Sequence, residues 1–340
     1  MMNIMNAEEI SMKATIQKLT EAYGPSGFEN QVRGVIKDLI KPLEGSTDSM
    51  GNLIIRIGAK KKNGSKIMIA AHMDEIGVMI SHIDDNGFAR FSPIGGVYVR
   101  NCIGGRVRFA DGTIGVIGIE KLENADKLPG IDKLYIDTGA ANRKDSQIKI
   151  GDTACFERPF TDLGTRLISK AMDDRVGCAV MVKAMKLIKD TPHELIFVFS
   201  TQEEVGLRGA TAAAYSVDPE IGISVDITLV GDTPKGTRMA VSLGKGPAIK
   251  VRDGGMISDP RLVNALTSAA QKERIPCQLE VLEGGTTDAR VMQISRAGMP
   301  AACISIPCRY VHSPSEMVDY NDVENSVKLL VALLSKPIVI

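Results

Sequence analysis

Two almost wholly apolar segments most constrain the fold of this chain. Residues 195–199 are Leu-Ile-Phe-Val-Phe, and residues 301–306 are Ala-Ala-Cys-Ile-Ser-Ile. Strands without a polar face are typical of a sheet that helices cover on both sides. Apolar residues at helical spacing near these segments predict helices over residues 175–189, 259–272 and 321–334. The sequence therefore predicts an α/β domain with helices on both faces of its sheet.

The segment from about residue 75 to residue 160 has a different pattern. Short β-like runs alternate there with Asp-Asn-Gly, Gly-Gly and Asp-Gly turns, and Asp111-Gly112 between two apolar runs indicates a hairpin. Closely spaced strands without a convincing helix favour a small barrel or sandwich. The predicted strands are residues 87–92, 105–109, 113–119 and 133–137.

Helical and strand patterns also precede this segment. They predict helices over residues 12–23 and 29–41, and strands over residues 53–57 and 66–71. The α/β pattern returns after about residue 163. We therefore predict a discontinuous α/β domain of residues 1–75 and 161–340, interrupted by a β domain of residues 76–160.

Charge and cysteine usage narrow the classes of function. The 41 basic and 41 acidic side chains balance, so electrostatics gives no reason to expect nucleic acid or an anionic membrane as a partner. No apolar stretch approaches the roughly 20 residues that span a bilayer. The first residues include Glu8 and Glu9 and lack the apolar region of a secretory signal. The six cysteines form no C-x-x-C pair, so we expect reduced thiols in a cytoplasmic protein.

Acidic and imidazole side chains follow the predicted strands of the α/β part. In open α/β sheets, sites form beyond the carboxyl ends of the strands, so these groups are expected at one edge of the sheet. Clustered His, Asp and Glu would suit a two-metal hydrolytic centre. The candidates are His72 and Asp74 after residues 66–71, Glu203 and Glu204 after residues 195–200, Asp226 at the end of residues 221–225, His312 six residues after residue 306, and Asp173 before the helix at 175–189.

Each candidate also has a simpler interpretation. His72 alone would be an ordinary hydrogen-bonded histidine, Glu203-Glu204 a solvated loop, and Asp173-Asp174 an N-cap. Asp226 is harder to explain in this way, because burying a carboxylate that ends an apolar run is costly without a partner. His82 and His193 lack such a context and are expected to be structural or surface residues.

The candidate residues fall in motifs that resemble those of the glutamyl aminopeptidase and tetrahedral (TET) aminopeptidase family, which are cocatalytic metallo-aminopeptidases. The resemblance covers essentially the whole chain, including the interrupting β domain. The matching motifs are, in order, Ala-His-Met-Asp-Glu-Ile-Gly (71–77), Met-Asp-Asp-Arg-Val-Gly-Cys (172–178), Gln-Glu-Glu-Val-Gly (202–206), Val-Asp (225–226) and Val-His-Ser-Pro (311–314).

The resemblance implies a fold, a metal centre and an assembly. The fold would be a mixed-sheet α/β/α catalytic domain, similar to zinc peptidases, with an inserted β barrel for dimerisation; dimers would build a dodecamer. Zinc, cobalt or manganese would serve as the two divalent ions of each subunit. Their ligands would be His72, Asp173, Glu204, Asp226 and His312.

The resemblance also implies a role for each remaining site residue. Asp173 would bridge the two ions, with Asp174 as the alternative bridge. Glu203 would be the general base, and Asp74 would orient His72 through the second imidazole nitrogen. The segment Gly-Gly-Thr-Thr-Asp-Ala (284–289) resembles a Gly-Thr-Asp-Ala loop of the family with an extra Thr; it would line the substrate cleft or form a turn before a helix.

The resemblance implies removal of N-terminal residues from peptides with a free amine. A deacylase or carboxypeptidase on the same two-metal scaffold is the first alternative. A glycoside hydrolase such as an endoglucanase is a weaker alternative, because neighbouring Glu203 and Glu204 would point apart on an extended chain and the chain has no Trp. A noncatalytic scaffold that uses the β domain for assembly is a third.

Overall fold

The computed structural model describes residues 10–122, 124 and 127–340. The predicted lack of a secretory signal, which rests partly on Glu8 and Glu9, falls outside the described residues. Within the described ranges, no helix is long and apolar enough to cross a membrane.

An α/β part opens the chain, gives way to a β barrel, and then resumes. The opening elements are α1 (Met12–Glu21), α2 (Asn30–Leu39), β1 (Ser46–Thr47), β2 (Leu53–Ile57) and β3 (Lys66–His72). The barrel strands are β4 (Gly77–Ile83), β5 (Ala89–Ile94), β6 (Arg106–Phe109), β7 (Ile114–Ile119), β8 (Leu134–Asp137) and β9 (Thr153–Phe156).

The second stretch of the α/β part supplies most of the sheet and of its helices. Its elements are β10 (Thr161–Asp162), β11 (Arg166–Ser169), α3 (Met172–Leu187), β12 (Glu194–Ser200), α4 (Arg208–Val217), β13 (Ile221–Thr228), β14 (Ala248–Arg252), α5 (Pro260–Lys272), β15 (Gln278–Val281), α6 (Asp288–Gln293), β16 (Ala301–Arg309), β17 (Glu316–Asp319) and α7 (Tyr320–Leu334).

One mixed sheet of eleven strands organises this part. Its path is β1-β2-β12-β3-β13-β16-β17-β11-β10, and β14 joins β16 from the side and carries β15. The four central strands β12, β3, β13 and β16 run parallel, whereas β2 and β17 pair with them antiparallel. The parallel register pairs Ser200 with His72, so the carboxyl ends of β12 and β3 meet at one edge. The predicted mixed α/β fold is confirmed.

Helices cover both faces of this sheet. Ile67 and Ile69 of β3 belong to the large core that packs against α1, α2, α3, α5 and α7, whereas Met68 and Ala70 belong to a second core beneath α4 and α6. Successive side chains of a strand point to opposite faces, so every side chain of a strand that is covered on both faces lies in an apolar core. This explains the apolar composition of β12 and β16.

The inserted strands close a separate barrel in the order β4-β5-β8-β7-β6-β9. It has its own apolar core, which includes Val78, Val107, Ile117 and Ile136. Neither β4 nor β9 is predicted from the sequence, and β5 begins later than predicted. The carboxylate of Asp84 accepts hydrogen bonds from the amides of Asn86 and Phe88, so the chain is still turning where a strand was predicted.

Candidate metal centre

The two separated histidines of the sequence motifs lie at the same edge of the sheet. His72 is the last residue of β3 and is buried. His312 follows β16 in a left-handed backbone conformation, with φ 58°. Nε2 of His72 is 3.0 Å from Oδ1 of Asp173, and Nε2 of His312 is 3.4 Å from Oδ2 of the same carboxylate. The carboxylate of Asp173 thus lies between the two imidazoles, with one oxygen towards each.

The remaining predicted ligands complete this cluster. Oε2 of Glu204 is 3.2 Å from Nε2 of His312, and Oδ1 of Asp226 is 3.9 Å from Nε2 of His72. Asp226 does not end its strand as predicted: β13 continues to Thr228, and its pairing with β16 includes Asp226 opposite Ser305. The strand continues because β16 offers a parallel partner that the local sequence does not reveal.

The start of α3 places two carboxylates at the site. Asp173 and Asp174 have non-helical φ/ψ angles, and the peptide bond between them is cis. The amide of Asp173 donates to Oε2 of Glu316 at 2.9 Å. Oδ1 of Asp174 accepts from the amide of Gly177 at 3.1 Å, as an N-cap would, whereas its buried Oδ2 has no partner among the described residues.

Asp74 connects His72 with the loop that carries Glu203 and Glu204. Nδ1 of His72 lies 3.2 Å from the Asp74 carbonyl oxygen and 3.5 Å from its Oδ1. The Asp74 carboxylate also accepts from the amides of Glu203 at 3.0 Å and Glu204 at 3.2 Å, and from Oγ of Ser26 at 2.6 Å. Oε2 of Glu203 is 4.0 Å from Nε2 of His72. Asp74 therefore holds the acidic loop as well as the imidazole.

The cluster carries more buried negative charge than its histidines balance. Burial raises the pKa of Asp174, Asp226 and Glu203, and neighbouring carboxylates raise it further. Burial by itself would lower the pKa of His312, but the carboxylates of Asp173 and Glu204 raise it to about 12. A site of this kind favours positive charge, whether from protons or from metal cations.

The donor chemistry fits divalent cations. One ligand atom from each of His72, Asp174 and Asp226 falls within 4.8 Å of the others, and so does one from each of His72, Asp173 and Glu204. Imidazole combined with carboxylates suits zinc, cobalt or manganese. The buried Oδ2 of Asp174, which lacks a partner among the described residues, is a further acceptor that a cation would satisfy.

A cleft of about 770 Å³ opens beside these carboxylates. This volume lies within the usual range for sites that bind small molecules or peptide ends. Thr286 and Thr287 line the cleft, and Oγ1 of Thr287 caps α6. Residues 284–287 therefore line the cleft, and the chain then turns into α6; that this cleft binds the substrate stays a prediction.

Several supporting residues were not identified from the sequence. Glu316 accepts from the amides of Asp173 and His312, and so ties two candidate ligands together. Asp288 is buried and accepts from Oγ of Ser200, next to His72 in the sheet. Glu316 lies four residues after His312, so an acidic residue there is a usable signal. Nothing in the local pattern marks Asp288 apart from its place in the Gly-Gly-Thr-Thr-Asp-Ala segment.

The two other histidines lie apart from the cluster. His82 is exposed on β4. His193 is buried; its Nδ1 accepts from the amide of Ser65 at 2.9 Å, and its Nε2 is 2.8 Å from the carbonyl oxygen of Lys336. Both are surface or structural residues, as predicted.

The comparison with protein families gives the class of protein, a peptidase. The model of the M42 glutamyl aminopeptidase family matches residues 51–329, and the chain belongs to this family. An aminopeptidase from Desulfurococcus kamchatkensis is 41% identical, with a TM-score of 0.91 and coverage of 95% of this chain and 94% of that chain.

Two further solved structures bear on assembly and on the alternatives. The Pyrococcus horikoshii TET1 peptidase, described as able to assemble into a tetrahedron or a large octahedral shell, is 33% identical with a TM-score of 0.87 (96% and 100% coverage). A Thermotoga maritima structure titled endoglucanase is 32% identical with a TM-score of 0.79 (94% and 96% coverage).

Proposed function

We propose that the chain is a dinuclear metallo-aminopeptidase that removes N-terminal residues from peptides with a free α-amine. The observation that carries the proposal is the Asp173 carboxylate between the imidazoles of His72 and His312. A carboxylate with one oxygen towards each of two ligand sets is suited to bridging two ions. The five ligands would be His72, Asp173, Glu204, Asp226 and His312, and the two ions would activate a water and polarise the scissile carbonyl.

Asp174 is the alternative bridge that the sequence left open. Its Oδ1 is bound by the amide of Gly177, which leaves Oδ2 as its available ligand atom. Both oxygens of Asp173 instead face imidazoles. We therefore assign the bridge to Asp173, and infer that Asp174 lends charge to the His72 side of the site.

Glu203 is the proposed general base. Its backbone amide is bound by Asp74, and its carboxylate lies at the site, 4.0 Å from Nε2 of His72. Burial raises its pKa, which brings a carboxylate nearer to the working range of a general base. In the proposed role, Glu203 accepts the proton of the attacking water and transfers it to the leaving amine.

Glu203→Gln tests this assignment. The amide side chain keeps the shape but cannot take up a proton, so turnover is expected to fall about 10²–10⁴-fold. Metal content measured by elemental analysis should stay at two ions per subunit. Glu44→Gln, an exposed and distant change, is the matched control and should leave turnover unchanged. Full turnover by Glu203→Gln would remove Glu203 as the base.

A free substrate amine distinguishes an aminopeptidase from a deacylase or carboxypeptidase. Release of p-nitroaniline from Leu-, Glu- or Lys-p-nitroanilide, but not from the N-acetylated compounds, is expected. Release of acetate, rather than of p-nitroaniline, from the acetylated compounds would favour the deacylase.

A glycoside hydrolase is the second candidate, because one similar structure is titled endoglucanase. The crowded carboxylates beside two imidazoles suit cations better than the separated carboxyl pair of a glycosidase. Loss of peptidase activity in chelator and its return with added Zn²⁺, Co²⁺ or Mn²⁺ would support the peptidase. Chelator-resistant hydrolysis of a polysaccharide would support the glycosidase.

We also propose that residues 76–160 form a dimerisation domain within a catalytic domain of residues 1–75 and 161–340, and that dimers build a dodecamer. The Pyrococcus horikoshii TET1 peptidase can assemble into a tetrahedron or a large octahedral shell. Large apolar side chains of residues 76–160 are exposed, including Ile103, Val116 and Ile150, and exposed apolar surface is typical of interfaces between proteins. Native mass spectrometry would test the dodecamer.

We also propose a cytoplasmic location, which the free thiols fit.

A further inference from the structure

One segment of the barrel lies against the candidate metal centre instead of facing outward. Residues 95–101, here called the barrel segment, follow β5 and end in the short 3₁₀ turn Val99–Asn101. Gly96 and Tyr98 of this segment line the catalytic cleft together with His312 and Glu204. The inserted barrel, which we propose as a dimerisation domain, therefore supplies part of the wall of the cleft.

Gly96 packs directly on the imidazole of His312. A Cβ atom at Gly96 would lie 2.3 Å from Nδ1 and 2.6 Å from Cε1 of that ring. Real Cβ atoms do not approach other atoms so closely, so any side chain here would displace the ring. Gly95 has φ +74°, and a Cβ there would lie 3.1 Å from Oε2 of Glu204. The two glycines let the barrel backbone touch two of the proposed ligands.

Asn101 fixes the backbone that carries His312. Its Nδ2 donates to the carbonyl oxygen of His312 at 3.0 Å, while the amide of His312 donates to Oε1 of Glu316 at 2.8 Å. His312 has a left-handed backbone, a conformation that is unfavourable for a non-glycine residue and persists only where the surroundings enforce it. One of the two enforcing contacts comes from the barrel and the other from the α/β part.

Tyr98 supplies a third contact. Its ring centroid lies 6.2 Å from that of His312 at an interplanar angle of 37°, and half of the residue remains exposed. The ring therefore flanks the imidazole where both residues line the cleft.

We propose that the barrel segment positions His312. Gly96 packs on the imidazole and sets its place, Asn101 holds the backbone of His312, and Tyr98 flanks the imidazole at the cleft. The inference rests on the proposed metal centre and extends it: His312 comes from the α/β part, but contacts from the inserted barrel hold it in place. Gly96, Tyr98 and Asn101 are positioning residues, since they act through His312.

Gly96→Ala in the full chain tests the inference through metal binding, measured by titrating the metal-free protein with Co²⁺ and following visible absorption and bound stoichiometry. Wild type is expected to bind two Co²⁺ per subunit. In Gly96→Ala, one of the two should bind about 10–100-fold more weakly, as when a group that orients a ligand is removed. The absorption of the other Co²⁺ should persist. Gly34→Ala, on the exposed face of α2 with open space around it, is the matched control.

Asn101→Leu gives a second, independent test, because it removes the donor to His312 without adding a Cβ near the ring. It should weaken the same Co²⁺ and lower kcat more than it raises KM. If circular dichroism shows that Gly96→Ala does not fold, Asn101→Leu decides. If the folded variants bind two Co²⁺ as tightly as wild type does, the positioning role of the barrel segment is overturned and the dinuclear centre is not. Fewer than two Co²⁺ on wild type would overturn the dinuclear centre itself.

Discussion

Asp74 is the residue whose replacement best tests the architecture of the site. Its carboxylate accepts from Oγ of Ser26 and from the amides of Glu203 and Glu204, and its Oδ1 lies 3.5 Å from Nδ1 of His72. Asp74 is completely buried, so water does not reach its carboxylate. Asp74→Asn keeps the shape but exchanges one oxygen for an amino group.

Either orientation of the new amide leaves a half-buried backbone N–H facing a donor. An amino group at the Oδ1 position opposes the amide of Glu203, and one at the Oδ2 position opposes the amide of Glu204. The hydroxyl of Ser26 can reverse its role and accept, so it does not add to the loss. A hydrogen bond to a charged group contributes about 1.5–3 kcal/mol, and we expect the free energy of unfolding to fall by about that amount.

Urea unfolding of the metal-free protein measures this change. Co²⁺ affinity should fall about 10–100-fold as well, because Asp74 orients His72 and holds the loop of Glu204. Ser26→Ala is the matched control: it removes one donor, leaves both loop amides bound, and should destabilise less. An Asp74→Asn protein within about 0.5 kcal/mol of wild type, the usual range for surface substitutions, with unchanged Co²⁺ affinity, would refute this account of the site.

Two further predictions concern buried ionisable groups outside the proposed ligand set. Lys250 and Glu280 form a buried ion pair at 2.8 Å. Lys250→Met leaves the Glu280 carboxylate unpaired, so the free energy of unfolding, measured in urea, should fall by about 3–5 kcal/mol. The double variant Lys250→Met/Glu280→Leu should recover most of that loss, and equal losses in the two proteins would contradict this. Burial lowers the pKa of His193, so the unfolded chain takes up its proton first and stability should fall as pH drops below about 6.5, by at most about 1.4 kcal/mol per pH unit. His193→Asn should flatten the dependence of the urea midpoint between about pH 7.5 and 5.5; an unchanged slope would show that His193 does not cause it.

Elements with a strong local pattern were predictable from the sequence. Strand β2 was predicted with its observed bounds, and β3 and β12 within one residue, because each is a run of apolar residues beside clear turn signals. The predicted helix over residues 12–23 is observed as Met12–Glu21. The gathering of the candidate ligands at one sheet edge was also predictable, since the carboxyl ends of parallel strands meet there.

Elements that depend on distant partners were not predictable. Strand β9 pairs with β4 across more than 70 positions to close the barrel, and its four residues have no distinct pattern of their own. Strand β13 extends past Asp226 because β16 lies beside it, so a predicted strand end is in fact a paired position. Long-range pairing determined each of these outcomes.

By itself, the sequence determined the chemistry available at the site: which residues bear imidazole and carboxylate groups, and that most of them follow apolar strands. Only the tertiary structure decided how these groups are held. The contacts of Asp74 with the Glu203–Glu204 loop, of Glu316 with Asp173 and His312, and of Gly96 with the His312 ring all join residues from separate parts of the chain. Such contacts depend on the packing of whole elements against one another, and local sequence patterns carry no information about distances across the fold.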